Sequence, residues 1–113
     1  MASTNDPTAH AEVVAIRDAC KHLQTFQLTG CEIYTSCEPC PMCLGALYWA
    51  RPERVIYANT KGDAAAINFD DQFIYDEIDK KDQERQLSFI HHPHPLARQV
   101  FEEWKNMEHK TEY

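Results

Sequence analysis

The run Cys31-Glu32-Ile33-Tyr34-Thr35-Ser36-Cys37-Glu38-Pro39-Cys40-Pro41-Met42-Cys43, continued to Ala50, decides the fold of this 113-residue chain. Cys31–Ser36 alternates between Gly30 and Pro39, the pattern of a strand. Pro41 then sits at the first position of a helix that runs to about Ala50, where Arg51-Pro52 stops it. Cys43 lies in the first turn of that helix and Cys40 just before it. Val55–Ala58 follows as a second short apolar strand. Strand, helix and strand in this order mean an α/β architecture.

Outward from this unit, Pro7 to about Phe26 reads as a helix. Val13, Ile16, Cys20 and Leu23 recur at three- and four-residue steps, with Asp6 as N-cap, Pro7 at the first helical position and Gly30 closing the exit. Asp71 to about Lys80 reads as a further helix with Phe73, Ile74 and Ile78 inward, and Leu87–Ile90 as a last strand. The prolines in His91-His92-Pro93-His94-Pro95 break the chain, and its histidines read as a solvated loop. Leu96, Val100, Trp104 and Met107 mark a C-terminal helix. There is no repeat, low-complexity tract or linker, and the length suits a single domain, 1–113.

Charge narrows the partners. The net charge is −7 and no basic stripe exists, whereas grip on phosphates needs clustered Lys and Arg. A small neutral substrate is expected, with no nucleic acid. The five cysteines are an odd number, and Cys37, Cys40 and Cys43 crowd one segment. This fits intracellular thiols with some metal binding better than a disulfide framework. Met1–Pro7 has neither the basic start nor the apolar stretch of a signal peptide. The longest apolar run, Met42–Ala50, is too short to span a bilayer. A soluble, cytoplasmic protein is expected.

The chemistry lies in two motifs thirty residues apart, His10-Ala11-Glu12 and Pro39-Cys40-Pro41-Met42-Cys43. A catalytic zinc takes three protein ligands and keeps a position for water. His10, Cys40 and Cys43 supply three, which leaves Glu12 free to handle protons. The helix ends that carry these ligands are expected to favour thiolate over thiol. Cys37, Cys40 and Cys43 also match the start of a ferredoxin run, which needs a fourth cysteine and then proline. Leu47 and Tyr48 occupy those places, so Cys37 reads as a buried thiol at a strand end. Trp49 could be core or pocket, with core favoured. Asp70 and Asp71 read as a helix cap.

The joint pattern is the H-x-E…P-C-x-x-C signature of zinc deaminases. Thr8–Val13 with Thr35–Cys43 resembles the cytidine deaminase-like superfamily. Leu44 to Pro52, Phe69–Tyr75 and the terminal Glu112-Tyr113 extend the likeness to small bacterial guanine deaminases of that type. The resemblance implies a three-layer αβα sandwich, one Zn2+ per subunit on His10, Cys40 and Cys43, and hydrolysis of guanine to xanthine and ammonia in purine catabolism. It implies Glu12 as the main proton shuttle and Asp71 as a second proton carrier near the departing amine. The backbone of Ala11 and the ring of Trp49 would contact the purine, and Tyr113 would close over it. It further implies a homodimer in which the 95–113 segment is exchanged between subunits. The family also has a helix and β-hairpin ahead of the segment that begins here at Met1. An N-terminally truncated sheet is therefore expected, with an open edge at the Cys31–Ser36 strand. A tRNA adenosine or cytidine-type deaminase and a non-catalytic zinc-stabilised domain are the competing readings.

Overall fold

A computed structural model describes residues 1–69 and 71–112. They fall into two compact units, Met1–Ile78 and the segment from Asp79 onward.

In the first unit, strand β1 (Glu32–Cys37) and strand β2 (Arg54–Asn59) lie parallel, with Glu32 opposite Arg54 and Thr35 opposite Tyr57. Parallel neighbours need a crossover between them, and helix α2 (Pro41–Ala50) provides it. Its ends follow from the sequence. Cys40 is the N-cap, Pro41 opens the first turn, and Arg51 turns left-handed at φ 56° so that its N–H caps Leu47. The short sheet is the one expected: among the described residues it has two strands.

Helix α1 (Ala11–Leu23) packs against α2. It starts four residues later than the sequence suggested. Asp6 caps no helix; its carboxylate accepts from the N–H and hydroxyl of Thr8 at 2.9 and 2.6 Å. His10 N then donates to Thr8 O at 2.8 Å. These turns use up the groups that would have begun a helix at Pro7, and His10 becomes the N-cap in an extended conformation. The exit also differs, because Gln24, at φ 54°, ends the helix. Gly30, at φ +80°, serves instead the turn before β1. The buried apolar core among the described residues is Val13, Leu28, Cys43, Leu47 and Ala50.

Helix α3 (Lys61–Ala66) was not anticipated. A reciprocal capping box sets it, with Thr60 Oγ1 accepting from Asp63 N and an Asp63 carboxylate oxygen accepting from Thr60 N. Helix α4 (Gln72–Ile78) is shorter than expected. Phe73, Ile74 and Ile78 are exposed rather than inward.

In the second unit, Leu87–Ile90 is not a strand. It has no ladder partner among the described residues, and a strand without one is not stable. Helix α5 (Pro95–Lys105) begins where expected, with His94 Nδ1 accepting from Leu96 N at 3.1 Å. Leu96, Val100, Phe101 and Trp104 are exposed on it. No helix among the described residues is long and apolar enough to cross a membrane.

Candidate metal centre and active site

Three separate backbone decisions bring the ligands together. The extended N-cap conformation of His10 frees its ring from the barrel of α1. The turn after β1 carries Cys40 to the N-cap of α2, and the first turn of α2 buries Cys43 completely. His10 Nδ1 lies 3.4 Å from Cys40 Sγ and 3.5 Å from Cys43 Sγ. All three ligand atoms lie within 4.8 Å of one another.

These distances test whether zinc fits. Tetrahedral zinc with its usual bond lengths separates a nitrogen from a sulfur ligand by about 3.6 Å. The two nitrogen–sulfur separations therefore already match the edges of a zinc tetrahedron. One nitrogen and two sulfurs are also a borderline-soft donor set that suits zinc better than magnesium or calcium. Three ligands leave a fourth corner, the arrangement of a catalytic rather than a structural site.

Glu12 stands in the first turn of α1, next to this cluster. Its Oε1 accepts from Thr35 Oγ1 at 2.8 Å, and its Oε2 accepts from the Cys43 thiol at 3.1 Å. Burial pushes the carboxyl up, but donation from Cys43 and Thr35 outweighs it and the group ends below its ordinary value. Burial, reinforced by the Glu12 carboxylate and by Cys40, pushes the Cys43 thiol well up. The helix end thus does not make this thiol a thiolate by itself. Metal must supply the charge that does so.

A cleft of about 550 Å³ opens beside the cluster, within the range of small-molecule pockets. His10, Glu12, Cys37, Glu38 and Cys40 line it, together with Lys61, Ala64, Asn68, Phe69 and Asp71 from the segment after β2. Asp71 precedes α4, its backbone oxygen accepting from Ile74 N and Tyr75 N. It therefore stands at the start of α4 and in the cleft wall. Cys37, expected as a buried thiol, is half-buried and faces the cleft.

Of the other expected contact residues, Ala11 and Trp49 are not among the described residues that line the cleft. Ala11 is exposed at the start of α1. Trp49, on α2, is 65% exposed, so it is not core. Tyr113 and Asp70 lie outside the described residues.

The sequence reading gave no role to Thr35, Glu38, Lys61 or Tyr75. Tyr75 OH donates to Pro39 O at 3.3 Å, tying α4 to the turn that presents Cys40. Lys61 lies 4.3 Å from the Tyr75 ring centroid and 3.9 Å from Glu38 Oε2. A usable signal existed for Thr35. It shares the half-buried face of β1 with Ile33 and Cys37, and a polar residue on that face needs a partner.

Comparison with known proteins matches residues 1–59 to the cytidine and deoxycytidylate deaminase zinc-binding region. Guanine deaminase of Bacillus subtilis (strain 168) is 56% identical over 98% of this chain and 71% of its own length. The X-ray structure of guanine deaminase from Bacillus subtilis superposes with a TM-score of 0.89 at 54% identity, covering 98% of this chain and 71% of that one. The tRNA-specific adenosine deaminase of Aquifex aeolicus (strain VF5) is 55% identical, but over 47% of this chain and 35% of its own length.

Proposed function

Because this chain belongs to the guanine deaminases of the cytidine and deoxycytidylate deaminase zinc-binding family, we propose that it hydrolyses guanine to xanthine and ammonia. The observation that carries this reading is the reach of the likeness. Identity to a guanine deaminase runs over 98% of the chain, whereas identity to the tRNA adenosine deaminase of Aquifex aeolicus covers 47%. The net charge of −7 also favours a free base over a polynucleotide.

His10, Cys40 and Cys43 would hold the metal. When bound, zinc supplies the Lewis acidity that makes water a nucleophile at neutral pH. The work of the chain is to move protons and hold the base. Glu12, with Oε1 engaged by Thr35, takes a proton from the hydrolytic water and returns it to the ring nitrogen beside carbon 2. Asp71 carries a proton near the departing amine, a role supported by its place in the wall of the same cleft. Water is consumed, the bond from carbon 2 to the amine breaks, and ammonia leaves. The backbone of Ala11 and the ring of Trp49 contact the purine, and Tyr113 of a second copy closes over it. The chain acts as one deaminase domain in a homodimer that exchanges its 95–113 segments, a reading supported by the exposed apolar residues of α5. Its five free cysteines fit a reducing cytoplasm, where purine catabolism would place it.

Glu12→Gln tests the chemistry. The variant is expected to keep zinc and lose about 10²–10⁴-fold in kcat for guanine. Zinc-loaded wild-type protein that forms no xanthine, yet deaminates tRNA or nothing at all, would overturn the assignment.

A further inference from the structure

We infer that Thr35 is a positioning residue for Glu12, the carboxylate that moves protons; this rests on the deaminase reading of the site. Glu12 has three rotatable side-chain bonds and stands at a helix end, where little backbone surrounds it. Proton transfer needs one of its oxygens held within hydrogen-bond reach of the reacting atoms. Two donors fix it here, Thr35 Oγ1 at 2.8 Å on Oε1 and Cys43 Sγ at 3.1 Å on Oε2. They are not equivalent.

The Cys43 donor is itself one of the three candidate metal ligands, its Sγ lying 3.5 Å from His10 Nδ1. Thr35 is not one of them, so its hold on Oε1 does not compete with metal binding.

Thr35 is built for that task. It is β-branched, so χ1 is stiff, and its backbone is paired in the parallel ladder opposite Tyr57. Its single hydroxyl proton has two acceptors in reach, Glu12 Oε1 at 2.8 Å and the Cys37 carbonyl at 3.0 Å, and the nearer, charged carboxylate is the stronger of the two. Thr35 is not among the described residues that line the cleft, so it reaches the substrate only through Glu12.

The test pairs crystal structures of zinc-loaded wild-type, Thr35→Val and Thr35→Ala proteins with their kinetics, and adds Thr35→Ser as the conservative variant. Zinc content and Tm check that each variant is folded and loaded. The expected result is one Glu12 rotamer in wild-type and Thr35→Ser and several in the other two. For those two, kcat should fall about 10- to 100-fold with KM within about threefold, while Thr35→Ser stays near wild type. The inference is overturned if Glu12 keeps its rotamer in both Thr35→Val and Thr35→Ala, or if its rotamer scatters without loss of kcat. The rotamer comparison needs no substrate. A protein inert toward guanine in which Glu12 still depends on Thr35 would therefore sink the substrate reading and leave the positioning role standing.

Discussion

His10 shows how much one backbone choice can decide. Held extended at the N-cap of α1, its ring meets two sulfurs from another helix at 3.4 and 3.5 Å; one turn further into the helix it could not. Cys43 is the least replaceable of the three ligands. It is fully buried, and its thiol is pushed up by burial and by Glu12, so its sulfur would become a good ligand only as metal displaces the proton, which leaves to solvent. Cys43→Ala should lower zinc content from one per chain to near zero, measured by metal analysis after dialysis. Stoichiometric zinc in that variant would mean that His10 and Cys40 suffice or that the ion sits elsewhere.

At the scale of elements, the parts that carry the site are those with strong local signals. Pro41 after Cys40, and Arg51-Pro52 after Ala50, fix α2 to the residue. The alternation in β1 fixes which side chains share the face of Thr35. Helix α3 illustrates the opposite case. Lys61–Ala66 has almost no hydrophobic period, so only its Thr60/Asp63 capping box announces it. Thr60→Ala should destabilise the protein by about 1 kcal/mol, read from urea unfolding. No change would mean that tertiary contacts, not the cap, hold α3. Hydrogen bonds from the Thr60 backbone and side chain hold the Asp63 carboxyl below its ordinary value. A depressed carboxyl stabilises the fold above its unfolded pKa and ceases to do so as pH falls through the folded one. The Thr60 amide resonance should therefore shift on acidification only below the ordinary Asp range.

The start of α1 and the segment 87–90 were misread for physical reasons of another kind. Asp6 is a good N-cap by residue type, but its carboxylate found a nearer partner in Thr8, a competition that composition does not reveal. Leu87–Ile90 has strand-like residues but forms no ladder with any described strand. His10, Glu12, Cys40 and Cys43, by contrast, needed no tertiary information beyond the two motifs. Only the hold of Thr35 on Glu12 requires the folded backbone, because 23 residues separate the two.

For the whole molecule, the small core makes the metal a structural as well as a chemical element. The buried apolar core among the described residues is Val13 of α1, Cys43, Leu47 and Ala50 of α2, and Leu28 between α1 and β1, and a zinc on His10, Cys40 and Cys43 would cross-link the same two helices. At free zinc about 100-fold above its Kd, binding should add about 2.7 kcal/mol. Chelation should then lower Tm by on the order of 10 °C, and zinc should restore it. An unchanged Tm after complete metal removal would show that the two helices hold without it.

The most direct measurement loads the protein with one zinc per chain, supplies guanine in water enriched in heavy oxygen, and weighs the products. Hydrolysis at carbon 2 requires xanthine carrying one heavy oxygen and one ammonia released per guanine. Guanine recovered unchanged from fully zinc-loaded protein would contradict a hydrolytic site directed at this base.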